Sequence, residues 1–181
     1  MKYITLSILA AAVALTSVIA GPVKSNKDVV RINEPVEMFR DQEFQFDLFY
    51  ISTFRKPDGG RDADAHRIHT GAGGGLAFNY IFARYFGIGI ENFLVSHNKN
   101  APYHLGAYGI LRCPIDAINL APYALIGGGA GFGKHGYGYG SIGGGLEYRF
   151  TPNVGTFADA RWMCGSPAKG SNLRAGFRFS F

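Results

Sequence analysis

After Ala20 the sequence has no run of about eighteen consecutive apolar residues, the length a helix needs to cross a bilayer, which excludes a helical membrane protein. Charge is scarce too: Asp, Glu, Lys and Arg make up 17% of the chain, low for a soluble exported domain of this size. Cysteine is limited to Cys113 and Cys164, and no convincing helical period appears between the apolar segments. In place of these stand 26 glycines and 14% aromatic residues, the composition of greasy strands separated by glycine.

The first twenty residues, MKYITLSILAAAVALTSVIA, combine a lysine, an apolar run and small residues at Val18 and Ala20. That is the anatomy of a secretory signal peptide cleaved after Ala20, and the next residue, Gly21, is not the cysteine of a lipoprotein. The alternative is an uncleaved anchor, for which the run is slightly short. Cleavage leaves about 160 residues, enough for one domain. Residues 21–42 read as a polar periplasmic lead-in and residues 43–181 as the folded domain.

From residue 43 onward, segments of period two follow one another. EFQFDLFYISTF sets Phe44, Phe46, Leu48 and Tyr50 against Gln45, Asp47 and Phe49. HTGAGGGLAFNYIF sets Ala72, Leu76, Phe78, Tyr80 and Phe82 against glycines and Asn79, and RYFGIGIENFLVS sets Phe86, Ile88, Ile90 and Leu94 against Gly87, Gly89 and Glu91. In PYHLGAYGILR the apolar set is Leu105, Ala107 and Leu111, opposite His104, Tyr108 and Arg112, whereas APYALIGGGAGF reads either way. SIGGGLEYRF, VGTFADARW and NLRAGFRFSF restore the pattern and bring the count to eight. Eight segments of about ten residues fit an all-β, antiparallel, up-and-down transmembrane β-barrel, the only sheet that leaves no edge unpaired in lipid.

The second parity decides which side faces in. It carries Asp47, Glu91, Glu147 and Asp159 with Arg112, Arg149, Arg161, Arg174 and Arg178. An arginine facing hydrocarbon costs about 2–4 kcal/mol near the midplane, so these charges are expected inside, where their nearly balanced signs allow pairing. The interior of an eight-stranded barrel is just wide enough for side chains to fill, so the expected lumen is ion-paired and plugged.

With both termini periplasmic, the outer connections fall near residues 55–68, 97–102, 133–138 and 164–171, and the short turns near Ala83-Arg84, CPIDAINL and TPN. Lys56, Lys99, Lys134 and Lys169 then lie one to each outer loop, within reach of anionic lipid phosphates, although lysine favours loops in any case. Cys113 and Cys164 fall at opposite ends of an apolar band about 25 Å tall and are not expected to pair. The formal net charge of +5 raises nucleic acid as a partner, which export argues against.

The hairpin GGGLEYRFTPNVGTFADARW and the closing RAGFRFSF resemble the OmpA-like and opacity-protein-like family of small eight-stranded outer-membrane barrels, over about residues 43–181. The resemblance implies a monomer in the outer membrane of a Gram-negative-type bacterium, in contact with its lipid and lipopolysaccharide. It also implies escort by periplasmic chaperones and insertion by the barrel assembly machinery, with Phe177, Phe179 and the terminal Phe181 serving as the assembly signal. Opacity adhesins carry long outer loops, and here only the first is of moderate length, which weakens an adhesin role.

Three other patterns point elsewhere. Gly128, Gly133 and Lys134 approach a phosphate-binding loop, but His135 stands where a Ser or Thr should hold magnesium, and no helix start follows. Asp62, Asp64, His66 and His69 could gather round a divalent cation, although a solvated polar loop has the same composition. Small outer-membrane barrels include lipid A-modifying enzymes with a Ser and a His near the outer leaflet. Here Ser96 and His97 are adjacent, so on a strand they point to opposite faces. The expectation is therefore a non-enzymatic envelope protein with no cofactor and no metal, serving structure or surface interaction. A lipid A-modifying enzyme and a soluble lipocalin-like binder are the alternatives, and the second requires an apolar lumen and a polar exterior.

Overall fold

The computed structural model describes residues 37–55, 69–96, 102–132, 136–165 and 169–181. Eight strands follow in order: β1 (Glu43–Arg55), β2 (His69–Ala83), β3 (Phe86–Ser96), β4 (Tyr103–Arg112), β5 (Leu120–Phe132), β6 (Tyr137–Thr151), β7 (Val154–Cys164) and β8 (Gly170–Ser180). Each pairs antiparallel with its sequence neighbour, and β8 returns to β1 to close the cylinder. Closure sets Asp47 beside Arg178 and Ile51 beside Arg174, and at its end Phe181 N–H donates to the Phe44 carbonyl at 2.9 Å.

Strand parity sorts the side chains as the alternation predicts. Phe44, Leu48, Phe78, Ile88, Ile90, Leu146, Trp162 and Phe177 are exposed on the outer surface, while Asp47, Glu91, Glu147, Arg149, Arg161, Arg174 and Arg178 are buried inside. For β5, where the sequence reads either way, Tyr123 and Leu125 face in and Ile126 faces out. The partner strand explains the choice: Tyr123 stands beside Gly145 and Leu125 beside Gly143, glycines whose inward sides leave room for a bulky neighbour. The same complementarity seats Phe49 between Gly75 and Gly176. A Cβ on Gly75 would lie 2.7 Å from the Phe49 ring and 2.5 Å from Phe93 Cβ, so a side chain there would displace the lumenal aromatics.

Three connections, two of them of only two residues, lie at one end of the barrel, hereafter the turn end. Arg84 and Tyr85 join β2 to β3, and Pro152 and Asn153 join β6 to β7, where Thr151 Oγ1 accepts from Val154 N–H at 3.0 Å. A longer connection between β4 and β5 contains a single 3-10 turn, Asp116–Ile118, ending on Asn119 at φ 56°. That left-handed conformation is one Asn tolerates better than most residues. Residues 37–42, the last of the stretch read as a lead-in, reach this end of the barrel. Phe39 is fully buried at this end, because the cationic side chains Arg112 and Arg149 offer its ring a partner that solvent does not.

Candidate functional site

Among the described residues, the lumen holds ten charged side chains, each 5% exposed or less: Glu43, Asp47, Glu91, Glu147 and Asp159 against Arg112, Arg149, Arg161, Arg174 and Arg178. Isolated charges so placed would each cost several kcal/mol in lost hydration, about what makes an unpaired buried ion untenable. The strands resolve this by presenting acids and arginines at matching heights, and the pairs fall into two groups, each electrically neutral.

The first group is a chain nearer the turn end. Arg112 bonds Glu43, whose Oε1 accepts from Arg149 Nη2 at 2.6 Å. Arg149 Nε reaches Glu147 at 2.7 Å, the other Glu147 oxygen accepts from Arg178 Nη1 at 2.6 Å, and Arg178 ends the chain with a fork on Asp47, 2.7 Å at both oxygens. The second group is a closed ring. Arg161 and Arg174 both bond Glu91, at 2.8 and 2.7 Å, and both bond Asp159, at 3.2 and 2.6 Å. Forked guanidinium geometry of this kind gives the strongest hydrogen bonds available to a carboxylate.

Uncharged groups join chain and ring to the wall. Asn79 donates to Asp47 at 2.9 Å and accepts from the Tyr108 hydroxyl at 2.6 Å, while the Tyr123 hydroxyl donates to Asp159 at 2.9 Å. Arg174 lies over Phe49 and Arg178 over Phe157, 4.6 and 4.9 Å from the ring centres, so the inward aromatics serve as cation-binding surfaces. Tyr123→Phe keeps the packing and removes one donor from a buried carboxylate. It is expected to lower the unfolding free energy by about 1–3 kcal/mol, measured as a shifted urea midpoint for protein folded in detergent micelles.

All nine lumenal charges read from the sequence lie in these two groups. Glu43 is the one that sequence reading missed. It shares the parity of Gln45 and Asp47 and was hidden by standing first in its strand, where the polar lead-in meets it. Toward the opposite end, ionic groups give way to His104, stacked on Phe93 with ring centres 4.5 Å apart and hydrogen-bonded to the Tyr137 hydroxyl at 2.7 Å. His104 thus faces the lumen, as the alternation of its strand predicts.

Elsewhere, Ser96 is exposed at the end of β3, and His97 lies outside the described residues. Lys169 is exposed just before β8; Lys56, Lys99 and Lys134 lie outside the described residues, as do Asp62, Asp64, His66, Gly133 and His135. Gly128 lies within β5, and His69 opens β2. Cys113 and Cys164 are free and exposed. Phe177 and Phe181 point outward, 56% and 59% exposed, and Phe179 is half-buried beside Phe46.

A closed, eight-stranded antiparallel cylinder with this sorting of side chains is the architecture of the small outer-membrane β-barrels. Among solved structures, the chain is similar to the N-terminal β-barrel domain of Pseudomonas aeruginosa OprF, with a TM-score of 0.59 at 16% identity, covering 77% of this chain and 97% of that one. It is similar to Neisserial surface protein A, TM-score 0.58 at 16% identity, over 78% of this chain and 98% of that one. Ail, the attachment invasion locus protein of Yersinia pestis, gives 0.59 at 15% identity, over 78% of this chain and all of that one (100%). No family model and no curated protein matches the chain.

Proposed function

We propose that this chain is an integral outer-membrane protein whose barrel is sealed along its axis and whose role is structural or interactive, not catalytic. The observation that carries this reading is the inside-out sorting of side chains around a closed sheet. Ile88, Ile90, Ile126, Ile142 and Leu146 form an apolar girdle on the outer surface, while ten charges sit within. A soluble lipocalin-like binder needs the reverse arrangement, because its exterior must be hydrated and its lumen must accept an apolar ligand. What supports sealing is the pair of neutral ion-pair groups, which leave no excess lumenal charge among the described residues to draw an ion, in a barrel of a size that side chains fill.

The remaining parts of the proposal follow from that orientation. The signal-like leader supports export, the turn end would face the periplasm, and the loop end the exterior. There the loop lysines would meet phosphates of lipopolysaccharide. Insertion by the assembly machinery, with chaperone escort and with Phe177, Phe179 and Phe181 as the terminal signal, belongs to the same reading, as does the monomeric state. What the loop end contacts is not a property of the fold.

Fractionation tests the proposal. The protein is expected to sediment with outer membranes and to resist extraction by alkaline carbonate, and purified protein in planar bilayers is expected to give no steady conductance. Recovery in the soluble periplasm would overturn the membrane assignment. A change in lipid A mass spectra on overexpression would overturn the non-enzymatic one.

A further inference from the structure

Residues 38–40 lie across the turn end of the barrel and are held there by side chains, not by strand pairing. Three successive carbonyls each accept from a different arginine: Met38 from Arg149 Nη1 at 2.7 Å, Phe39 from Arg84 Nη1 at 2.9 Å, and Arg40 from Arg112 Nη2 at 3.2 Å. Those arginines come from β6, from the turn between β2 and β3, and from the end of β4, so the ties are spread around the rim. Arg40 adds a fourth, donating to the Asn153 side chain at 3.2 Å, and Asn153 in turn donates to the Ser180 carbonyl at 2.9 Å. The Phe39 ring sits beneath the guanidinium carbons of Arg149 and Arg112, 4.7 and 5.3 Å from its centre.

We propose that residues 38–40 form a removable cap that closes the lumen at the turn end. Two features separate a cap from ordinary packing. Releasing it breaks none of the backbone ladder, since the ties all involve side chains. Releasing it also orphans no buried charge, since Arg112 and Arg149 keep their pairs with Glu43 and Glu147. An element held by side-chain ties and one buried ring opens more easily than the sheet it covers, whose whole backbone ladder must part. At the same end the lumenal side chains of Glu43, Gln45 and Ser180 are each 2% exposed or less, and these are what the cap would shield. The inference stands on the closed barrel alone and does not depend on which membrane holds it.

Thiol labelling tests it. With Cys113→Ser and Cys164→Ser as background, Ser180→Cys puts a nearly isosteric thiol behind the cap, and a charged methanethiosulfonate reagent is applied to the full chain folded in detergent micelles. Slow labelling is expected for this protein. Adding Phe39→Ala is expected to raise the rate by about tenfold or more, because labelling follows the population of the open form. An unchanged rate in folded Phe39→Ala protein would overturn the cap. If that variant gives no folded, heat-modifiable band, Arg84→Gln decides, since Arg84 ties the Phe39 carbonyl from the rim and takes no part in the lumenal pairs. Faster labelling there supports the cap, and the parent's rate overturns it. A soluble location for the protein would leave this assay intact, so the two readings fail separately.

Discussion

Arg178→Ala is expected to lower the unfolding free energy of the barrel by about 3–5 kcal/mol, among the largest effects any single substitution here should show. Its guanidinium carries both forks of Asp47 and one oxygen of Glu147. Without it Asp47 keeps only the Asn79 amide at 2.9 Å, and the neutral chain becomes a buried net anion. Burying the pair in the first place is not what stabilises the fold, since two well-packed apolar residues often do as well. The cost lies in leaving one charge behind. The double variant Arg178→Met, Asp47→Leu restores neutrality and is expected to recover at least half of the loss. Urea titration in micelles, read by heat-modifiability on gels, measures both. A single-variant loss below about 1 kcal/mol would show that solvent reaches the lumen and screens it.

Ile126→Arg probes the other face. Ile126 sits midway along β5 with 67% of its surface exposed, the most exposed large apolar side chain among the described residues. In water, replacing an exposed isoleucine usually changes stability by about 0.5 kcal/mol or less. Facing hydrocarbon, the arginine is expected to cost about 2–4 kcal/mol. Unfolding in lipid vesicles, with Ile126→Ala as the size control, separates the two. A near-neutral Arg variant in vesicles would mean that this girdle does not meet lipid.

The barrel was legible because period two and the inside-out distribution of charge survive in single strands. β1, β3, β6, β7 and β8 each declare their faces without help from a neighbour. β5 does not, since Tyr123, Leu125 and Ile126 are all apolar and its triple glycine removes the contrast. Its facing is settled by Gly143 and Gly145 on the adjacent strand, and such pairing information is written between strands, not within one. Which acid meets which arginine was hidden for the same reason: Glu91 and Arg174 are 83 residues apart and touch only once the sheet has curled. Phe39 and Glu43 went unread because a polar stretch flanks them, and a buried aromatic preceding a first strand carries no periodicity to announce it.

The ion pairs tie opposite ends of the chain together. Asp47 of β1 meets Arg178 of β8, Glu91 of β3 meets Arg174 of β8, and Glu43 of β1 meets Arg149 of β6. A partly assembled sheet lacking β8 would therefore leave Asp47 with no arginine, while Glu91 and Asp159 would share Arg161 alone and Glu147 would keep only Arg149. Closing the seam between β8 and β1 is thus the step that neutralises Asp47 and completes the ring round Glu91 and Asp159. A chain shortened by its final strand should therefore carry Asp47 as a lone anion in its interior and fail to hold a closed cylinder.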